Sequence, residues 1–561
     1  MRTDKNWRLL GQGLAVLILT AALAACGGSS DASSSGSSAA SGAGVSPSVS
    51  GSSTSSSSSG AVSPVVSTTS SSSLGAAKST GGSSSSGSSS GATPSAGGEG
   101  ANSGQVSATP SAPAPVATIQ LPQITAPSAS PTATTYYVSA STGLTTNNGL
   151  MPSTPFAHIS EATNNPALNG GDVIMVIPGT YDETVRLSVS GTPTGYTTLM
   201  AMPGQARPAI VSNPTIYSPG DPQFGNTISI RGNYIRVSGF DVTWQYDPST
   251  PDVYGSAIGA CCGNAPVNGV NQPTVHHVFI DNNVVHDSPS GGIAINDSDY
   301  LTIIGNVVYG NANQAPNETS GISVGESIDY DDAPGFHTVI MNNITYDNEN
   351  LVPANYTLPN GTVVTFSCTT DGNGIIIDSN RRQDNDNVAY QSSTLIFGNL
   401  SFGNGGGGVN VYESDNVTEV NNTTYHNFQD PQLCSLAEQG ELSATSASNI
   451  DYYNNIAVSA GVALSIEDAD TSNDLYHGNL VDGGATAFTS STGVVFDSSD
   501  RVGVDPLFVA PSTNAATANF SLQSASPAIG IGEPFGTAQT DLAGDRVPAN
   551  AAVNLGAYIG N

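Results

Sequence analysis

"VFIDNN" (278–283), "LTIIGN" (301–306), "VIMNN" (339–343), "TLIFGN" (394–399), "VTEVNN" (417–422), "IDYYNN" (450–455) and "DLYHGN" (474–479) are one phrase written seven times, a short β-prone run closed by asparagine. The closing residues are Asn283, Asn306, Asn343, Asn399, Asn422, Asn455 and Asn479, separated by 23, 37, 56, 23, 33 and 24 positions. The short separations set a base period, and the long ones are that period enlarged by insertion. A second phrase recurs out of step with the first: "GGIAIN" from Gly291, "SGISVG" from Ser320, "GNGIIID" from Gly372, "GGGVNVY" from Gly406 and "GVALSI" from Gly461. Three short strands per period, with Asn and Gly at the bends, describe a coil stacked on its own copies. One coil is too small to hide its apolar face, so neighbours must share a core. Asparagine at a bend suits left-handed backbone geometry, and its amide can bond the same residue one coil above and below.

Around this repeat the chain changes character. Arg2, Lys5 and Arg8 precede an apolar run ending in "LAAC", Leu23–Cys26, the pattern of a secretory signal. A cysteine after Leu-Ala-Ala resembles the lipobox of bacterial lipoproteins. That resemblance implies a lipoprotein signal peptide over 1–25, an acylated Cys26 and attachment to a membrane through it. Gly27 stands where the inner-membrane retention cue of such proteins has Asp, so the outer membrane or cell surface is the expected location. Residues 26–133 then form a linker of Ser, Gly, Ala, Thr and Pro. It lacks the apolar surface that would offset the entropy of ordering, and is expected to be a disordered tether. A chain of that length and composition reaches about 55 Å.

The remainder divides into a solenoid over 134–500 and a closing segment over 501–561. Removing Arg2, Lys5, Arg8 and Lys78 from the 12 basic residues, and Asp4, Asp31 and Glu99 from the 44 acidic ones, leaves 8 arginines and 41 acids in that domain. It contains no lysine. Nucleic-acid binding rests on Lys and Arg neutralising phosphates, so this composition excludes it. A surface so negative suits a secreted, soluble monomer able to take up Ca²⁺. Cys261, Cys262, Cys368 and Cys434 lack zinc-ligand spacing and are expected in disulfides, with the pairing open among three possibilities.

The repeat resembles the right-handed parallel β-helix, or pectin-lyase-like, superfamily. Two further stretches strengthen the likeness: "YYVSASTG" through "GGDVIMVIPGTYDE" (136–183) resembles the cap and first coil of such proteins, and "VDPLFVAP" through "VNLGAYIG" (504–560) their closing segment. The fold class implied is all-β, a right-handed parallel β-helix behind a Ser/Gly-rich tether. The superfamily implies action on an extracellular polysaccharide, as a lyase or glycoside hydrolase, and also hosts non-catalytic glycan-binding and adhesin-type surface proteins.

Counting from the glycine of the second phrase places Asp297, Glu326, Asp378, Glu413 and Glu467 near one another on successive coils. Coils lie about 4.8 Å apart, and carboxylates that close raise each other's pKa unless a cation, an arginine or a retained proton intervenes. A Ca²⁺ site is therefore expected at Asp297, Glu326 and Asp378. Arg381 and Arg382, side by side where positive charge is scarce, are expected to neutralise the ladder and to grip a sugar. The expected catalytic set is Asp371, Asp378, Arg381, Arg382 and Glu413. Without lysine a Lys-dependent lyase is excluded; an arginine or His337 would serve as base, or Asp371, Asp378 and Glu413 would supply the carboxyl pair of a hydrolase. The loop "GESIDYDDAPGFH" (325–337) gathers Glu326, Asp329, Asp331, Asp332 and His337 as a second candidate, a Ca²⁺ loop or cleft wall.

Overall fold

A computed structural model describes residues 119–212, 223–245, 253–260, 264–267, 270–316, 319–353, 355–357, 363–382, 388–434, 440–460, 464–483 and 494–560. The signal over 1–25, Cys26, the tether as far as residue 118, and Cys261 and Cys262 lie outside the described residues.

One coil shows how the repeat folds. Val275–Asp281 runs into Val284–His286, then Gly291–Asn296, and the next coil opens with Ser298–Ile304. Each strand pairs in parallel with its counterpart one period on: Ile280 with Ile303, Val285 with Val308, Ile293 with Ile322. Repetition builds three parallel sheets, here the first, second and third, of eleven, eleven and nine strands among the described residues. Such parallel crossovers are right-handed, and the fold is a right-handed parallel β-helix. Alternation puts Ile280, Ile303, Ile340 and Ile396 of the first sheet against Val285, Val308, Ile293 and Ile322 of the others, all buried in a single core. One short helix, Ile159–Thr163, covers the first end.

The phrase-closing asparagines form the ladder expected of them. The Nδ2 of Asn283 donates to Asn306 Oδ1 at 3.0 Å, and the same bond recurs through Asn343, Asn399, Asn422, Asn455 and Asn479, ending on Asp500. The left-handed residue is instead the one before: Asn282, Gly305, Asn342, Gly398, Asn421, Asn454 and Gly478 have φ between 52° and 72°. A second ladder, Asn311–Asn348–Asn404–Asn427, lines the bend between the second and third sheets and ends on the Glu441 carboxylate.

Packing starts fifteen residues before the expected boundary at 134. Ile119 and Leu121 are buried with Phe535, Val339, Met341 and Phe397 on the outside of the first sheet. The Gly536 N–H donates to the Ile119 carbonyl at 2.9 Å, and Thr537 Oγ1 to that of Leu121 at 2.7 Å. Three apolar residues, Ile119, Leu121 and Ile124, suffice to seat this strap despite the composition around it. The closing segment contributes Arg501–Val502 to the second sheet and then folds back, placing Phe508 and Phe520 on Leu400 and Phe402. Among the described residues a disulfide joins Cys368 and Cys434, linking two insertions with Cα atoms 5.2 Å apart.

Candidate functional site

The third sheet carries the acids singled out by the repeat. Ile375 and Ile377 are fully buried in the core, so the alternate residues Ile376 and Asp378 face outward. Asp378 lies in register with Asn296, Gly325, Tyr412 and Thr445, an outward column across five coils. Insertions enter along both edges, their described parts being 349–353, 355–357, 363–374 and 428–434 at the second-to-third bend, and 326–335, 379–382 and 388–392 at the third-to-first bend. Asp371 comes from the first edge, where Asn373 Nδ2 donates to its Oδ1 at 3.2 Å. A Cβ on Gly406 would lie 2.3 Å from the Asp371 carbonyl oxygen, so only glycine lets the two segments meet.

At the opposite edge the bend residues align as Asp297, Glu326, Ser379, Glu413, Ser446 and Asp470, all left-handed with φ from 43° to 57°. Their backbone N–H groups donate to the coil above, Asp297 to Gly325 O, Glu326 to Asp378 O and Glu413 to Thr445 O, at 2.9–3.1 Å. Asp297, Glu326 and Glu413 thus share one position. Asp378 sits one residue earlier, where Ser379 occupies the bend and donates to it at 2.8 Å. Glu467 sits three earlier, in register with Ser443, and Asp470 takes the bend. The count of four from Gly374 already sets Asp378 one short of the bend, which lies five residues after Gly292, Gly321, Gly374 and Gly408; Glu467 departs because the register makes Ile466 the counterpart of Val409, so Gly461 is not the counterpart of Gly408.

Both arginines have protein partners. Arg381 makes a forked contact with Asp415, 2.7 Å from Nη2 and 3.1 Å from Nε, and also reaches Ser448; that carboxylate holds the guanidinium pKa above its usual value. Arg382 is 4 % exposed and donates to Asp297 Oδ1 at 3.2 Å and to the Glu326 carbonyl. The expected metal set of Asp297, Glu326 and Asp378 does not assemble. Asp297 holds a guanidinium, and Asp378 faces out from another position.

Among the described residues, the group whose ligand atoms meet is Asp299, Asp329 and His337, all within 4.8 Å. Asp299 opens a strand of the first sheet and is fully buried; His337 lies one coil on, and Asp329 and Tyr390 come from the two third-to-first insertions. Asp299 Oδ1 accepts from Tyr300 N and the Tyr390 hydroxyl, Oδ2 from Tyr330 N. Beside it, Tyr234, His277, Tyr300 and His337 stack ring on ring at 4.5, 4.3 and 3.9 Å. Burial in this stack pushes the His277 pKa down to about 4. Outside lies an open cavity of about 440 Å³, lined by Asp329, Asp331, Asp332, Gly335, Gln391 and Ser392. The Tyr300 hydroxyl, donating at 2.6 Å, holds the Asp331 carboxyl below its usual range. Sequence reasoning found Asp329 and His337 in their loop. It missed Asp299 and Tyr390, which no local pattern marks, because they meet His337 only through the winding.

No protein-family model matches the sequence, and no curated protein does. Solved structures similar to this chain include pectate lyase Pel9A at 19% identity, covering 76% of this chain and 96% of that one, with a TM-score of 0.41. A rhamnogalacturonan lyase aligns at 13% identity over 70% of this chain and 97% of its own, with a TM-score of 0.37. An alginate lyase from Paenibacillus sp. aligns at 13% identity over 66% and 95%, with a TM-score of 0.30. Similarity at this level assigns no activity.

Proposed function

We propose that the protein is a carbohydrate-active β-helix that holds a polysaccharide along the outer face of its third sheet and cleaves it with Asp378 and Glu413. The carrying observation is the outward Asp378 in a column with Asn296 and Tyr412, bordered on both edges by long insertions, with Glu413 at the bend of the next coil. Asparagine and tyrosine side chains give a sugar hydroxyl partners and a stacking surface, and two carboxyls give a hydrolase its acid and its base or nucleophile. Hydrolysis is the favoured chemistry because the domain has no lysine and both neighbouring arginines are engaged with acids and carbonyls. Attachment to the outer surface through an acylated Cys26 is part of the same proposal.

The test is to incubate the protein with neutral and acidic polysaccharides, in Ca²⁺ and in chelator, following reducing ends and the ultraviolet absorbance of unsaturated uronate. Reducing ends without that absorbance are expected, falling by about 10²–10⁴-fold in Asp378→Asn and in Glu413→Gln. Unsaturated product would replace the hydrolase by a Ca²⁺-dependent lyase. Absence of any cleavage, with glycan binding unchanged in both variants, would leave a non-catalytic surface module.

A further inference from the structure

The cluster on the first sheet, away from the Asp378 column, poses a bonding problem with a chemical answer. His337 is 3 % exposed, and its Nε2 lies 2.8 Å from the Ala333 carbonyl oxygen. A carbonyl only accepts, so Nε2 carries the hydrogen. A neutral ring then turns the Nδ1 lone pair toward Asp299, whose two carboxylate oxygens both lie 3.0 Å away. That contact is satisfied by a second proton on the ring or by a metal cation held between the two groups.

Counting lone pairs locates where a cation would bind. Among the described residues, Asp299 Oδ1 is filled by the Tyr300 N–H and the Tyr390 hydroxyl, while Oδ2 takes only the Tyr330 N–H. Among the described residues, Asp329 Oδ1 is filled by the N–H and hydroxyl of Ser392, while Oδ2 takes only the Gln391 N–H. Each oxygen offers two lone pairs, so each carboxylate keeps one on Oδ2. Two ligands about 2.1 Å from a zinc ion, subtending 90–109°, lie about 3.0–3.4 Å apart. The Nδ1–Oδ separation of 3.0 Å falls in that range. The supporting bonds also match what metal ligands need: the other ring nitrogen is held by a backbone carbonyl, and the carboxylates are oriented by N–H and hydroxyl donors.

We propose that Asp299, Asp329 and His337 form a divalent transition-metal site of the zinc class, with its remaining coordination position open to the cavity bounded by Asp331 and Asp332. One imidazole nitrogen with two carboxylates suits Zn²⁺ better than Ca²⁺, which takes six to eight oxygens. The site is separate from the Asp378–Glu413 pair and stands whether or not that pair cleaves polysaccharide. Three protein ligands and an open position form the arrangement in which zinc presents a bound water to a substrate.

The test uses the full chain, stripped with chelator and titrated with Zn²⁺ by calorimetry, with Co²⁺ as a spectroscopic probe and Ca²⁺ as competitor. Saturable uptake of one Zn²⁺ per chain is expected, with visible Co²⁺ bands and no displacement by millimolar Ca²⁺. Tyr390→Phe, which removes an outer donor to Asp299, should weaken Zn²⁺ about 10–100-fold, and Asp329→Asn should weaken it further. Asp329 is only half-buried and its replacement isosteric, so a folded variant is available even if His337→Ala does not fold; circular dichroism verifies it. Absence of Zn²⁺ uptake would overturn the proposal and leave a proton shared between His337 and Asp299. Equal uptake by Asp329→Asn would also overturn it, moving the metal to another ligand set such as His276 and His277.

Discussion

Two bends of the same coil solve one stacking problem in opposite ways. At the first-to-second bend every coil from Asn283 to Asn479 presents the same amide, which donates to the coil above and accepts from the coil below. At the third-to-first bend the stacked residues are Asp297, Glu326, Ser379, Glu413, Ser446 and Asp470, and carboxylates cannot donate to one another. Nothing leaves the coil at the amide bend; the acidic bend carries the 326–335 and 379–392 insertions and borrows Arg381 and Arg382 from one of them. A self-complementary side chain fixes the coil and leaves no room for variation. A side chain that needs an outside partner invites insertions, and with them side chains available for chemistry.

The sharpest way to break the comparison is at the amide bend. Asn399→Ala removes donors to Asn422 Oδ1 and the Ile340 carbonyl, and an acceptor for the Asn343 N–H and Nδ2. Each buried group left without a partner costs about 1–3 kcal/mol, so a loss of about 4 kcal/mol or more is expected in chemical denaturation. A loss under about 1 kcal/mol would mean that stacking, not the ladder, holds the coils.

At the acidic bend the matching change is Arg382→Ala. It leaves Asp297, buried in the same bend, without its guanidinium, and breaking a buried pair from one side costs about 3–5 kcal/mol. Asp297→Asn should restore part of that stability in the double variant, because the stranded charge is then gone.

A pH series extends the comparison to the second-to-third bend, where amide and carboxylate meet, and to the core. The second amide ladder ends on Glu441, whose carboxylate receives the Asn427 N–H at 2.8 Å and its Nδ2; burial outweighs these bonds and pushes its pKa up to about 8. Asp468, buried in the core under the Tyr452 and Tyr476 hydroxyls, is pushed up to about 7, again by burial first. Both hold protons more tightly folded than unfolded, so their contribution is complete below about pH 4 and lost as pH rises through about 7 and 8. Stability should fall across that window by about 1.4 kcal/mol per pH unit for each titrating group, and Glu441→Gln should flatten the fall. A stability profile flat from pH 5 to 9 would contradict both assignments.

What the sequence revealed follows the same division. The amide ladder was legible because one residue type does one job at near-regular spacing, even though left-handed geometry falls on the residue before it. The acidic bend was legible only in outline: Asp297, Glu326 and Glu413 share a position, but Asp378 stands one residue before it and Glu467 three. The Asp299–His337–Tyr390 contacts were illegible because their partners lie 38 and 91 positions apart and meet only through winding and insertion. The strap beginning at Ile119 was hidden by the Ser- and Pro-rich composition around three apolar residues.

The smallest expected effect is the most discriminating about the twin arginines. Arg381 and Arg382 are neighbours in sequence and both pair with an aspartate, yet the Arg381 and Asp415 side chains are 26 % and 24 % exposed, whereas those of Arg382 and Asp297 are 4 % and 8 %. A pair that water can reach is worth about 0–1 kcal/mol and weakens with salt. Arg381→Ala should therefore cost no more than about 1 kcal/mol, and less in 1 M NaCl, where the Arg382→Ala loss should persist. The adjacent positions differ because Arg382 adopts the left-handed conformation, φ 51°, at a backbone turn closed by its own N–H to the Ser379 carbonyl. That turn directs its side chain to Asp297, two coils back, while Arg381 goes to Asp415 one coil ahead. Equal losses for the two arginines would mean that burial does not distinguish them and that the bend is held by net charge alone.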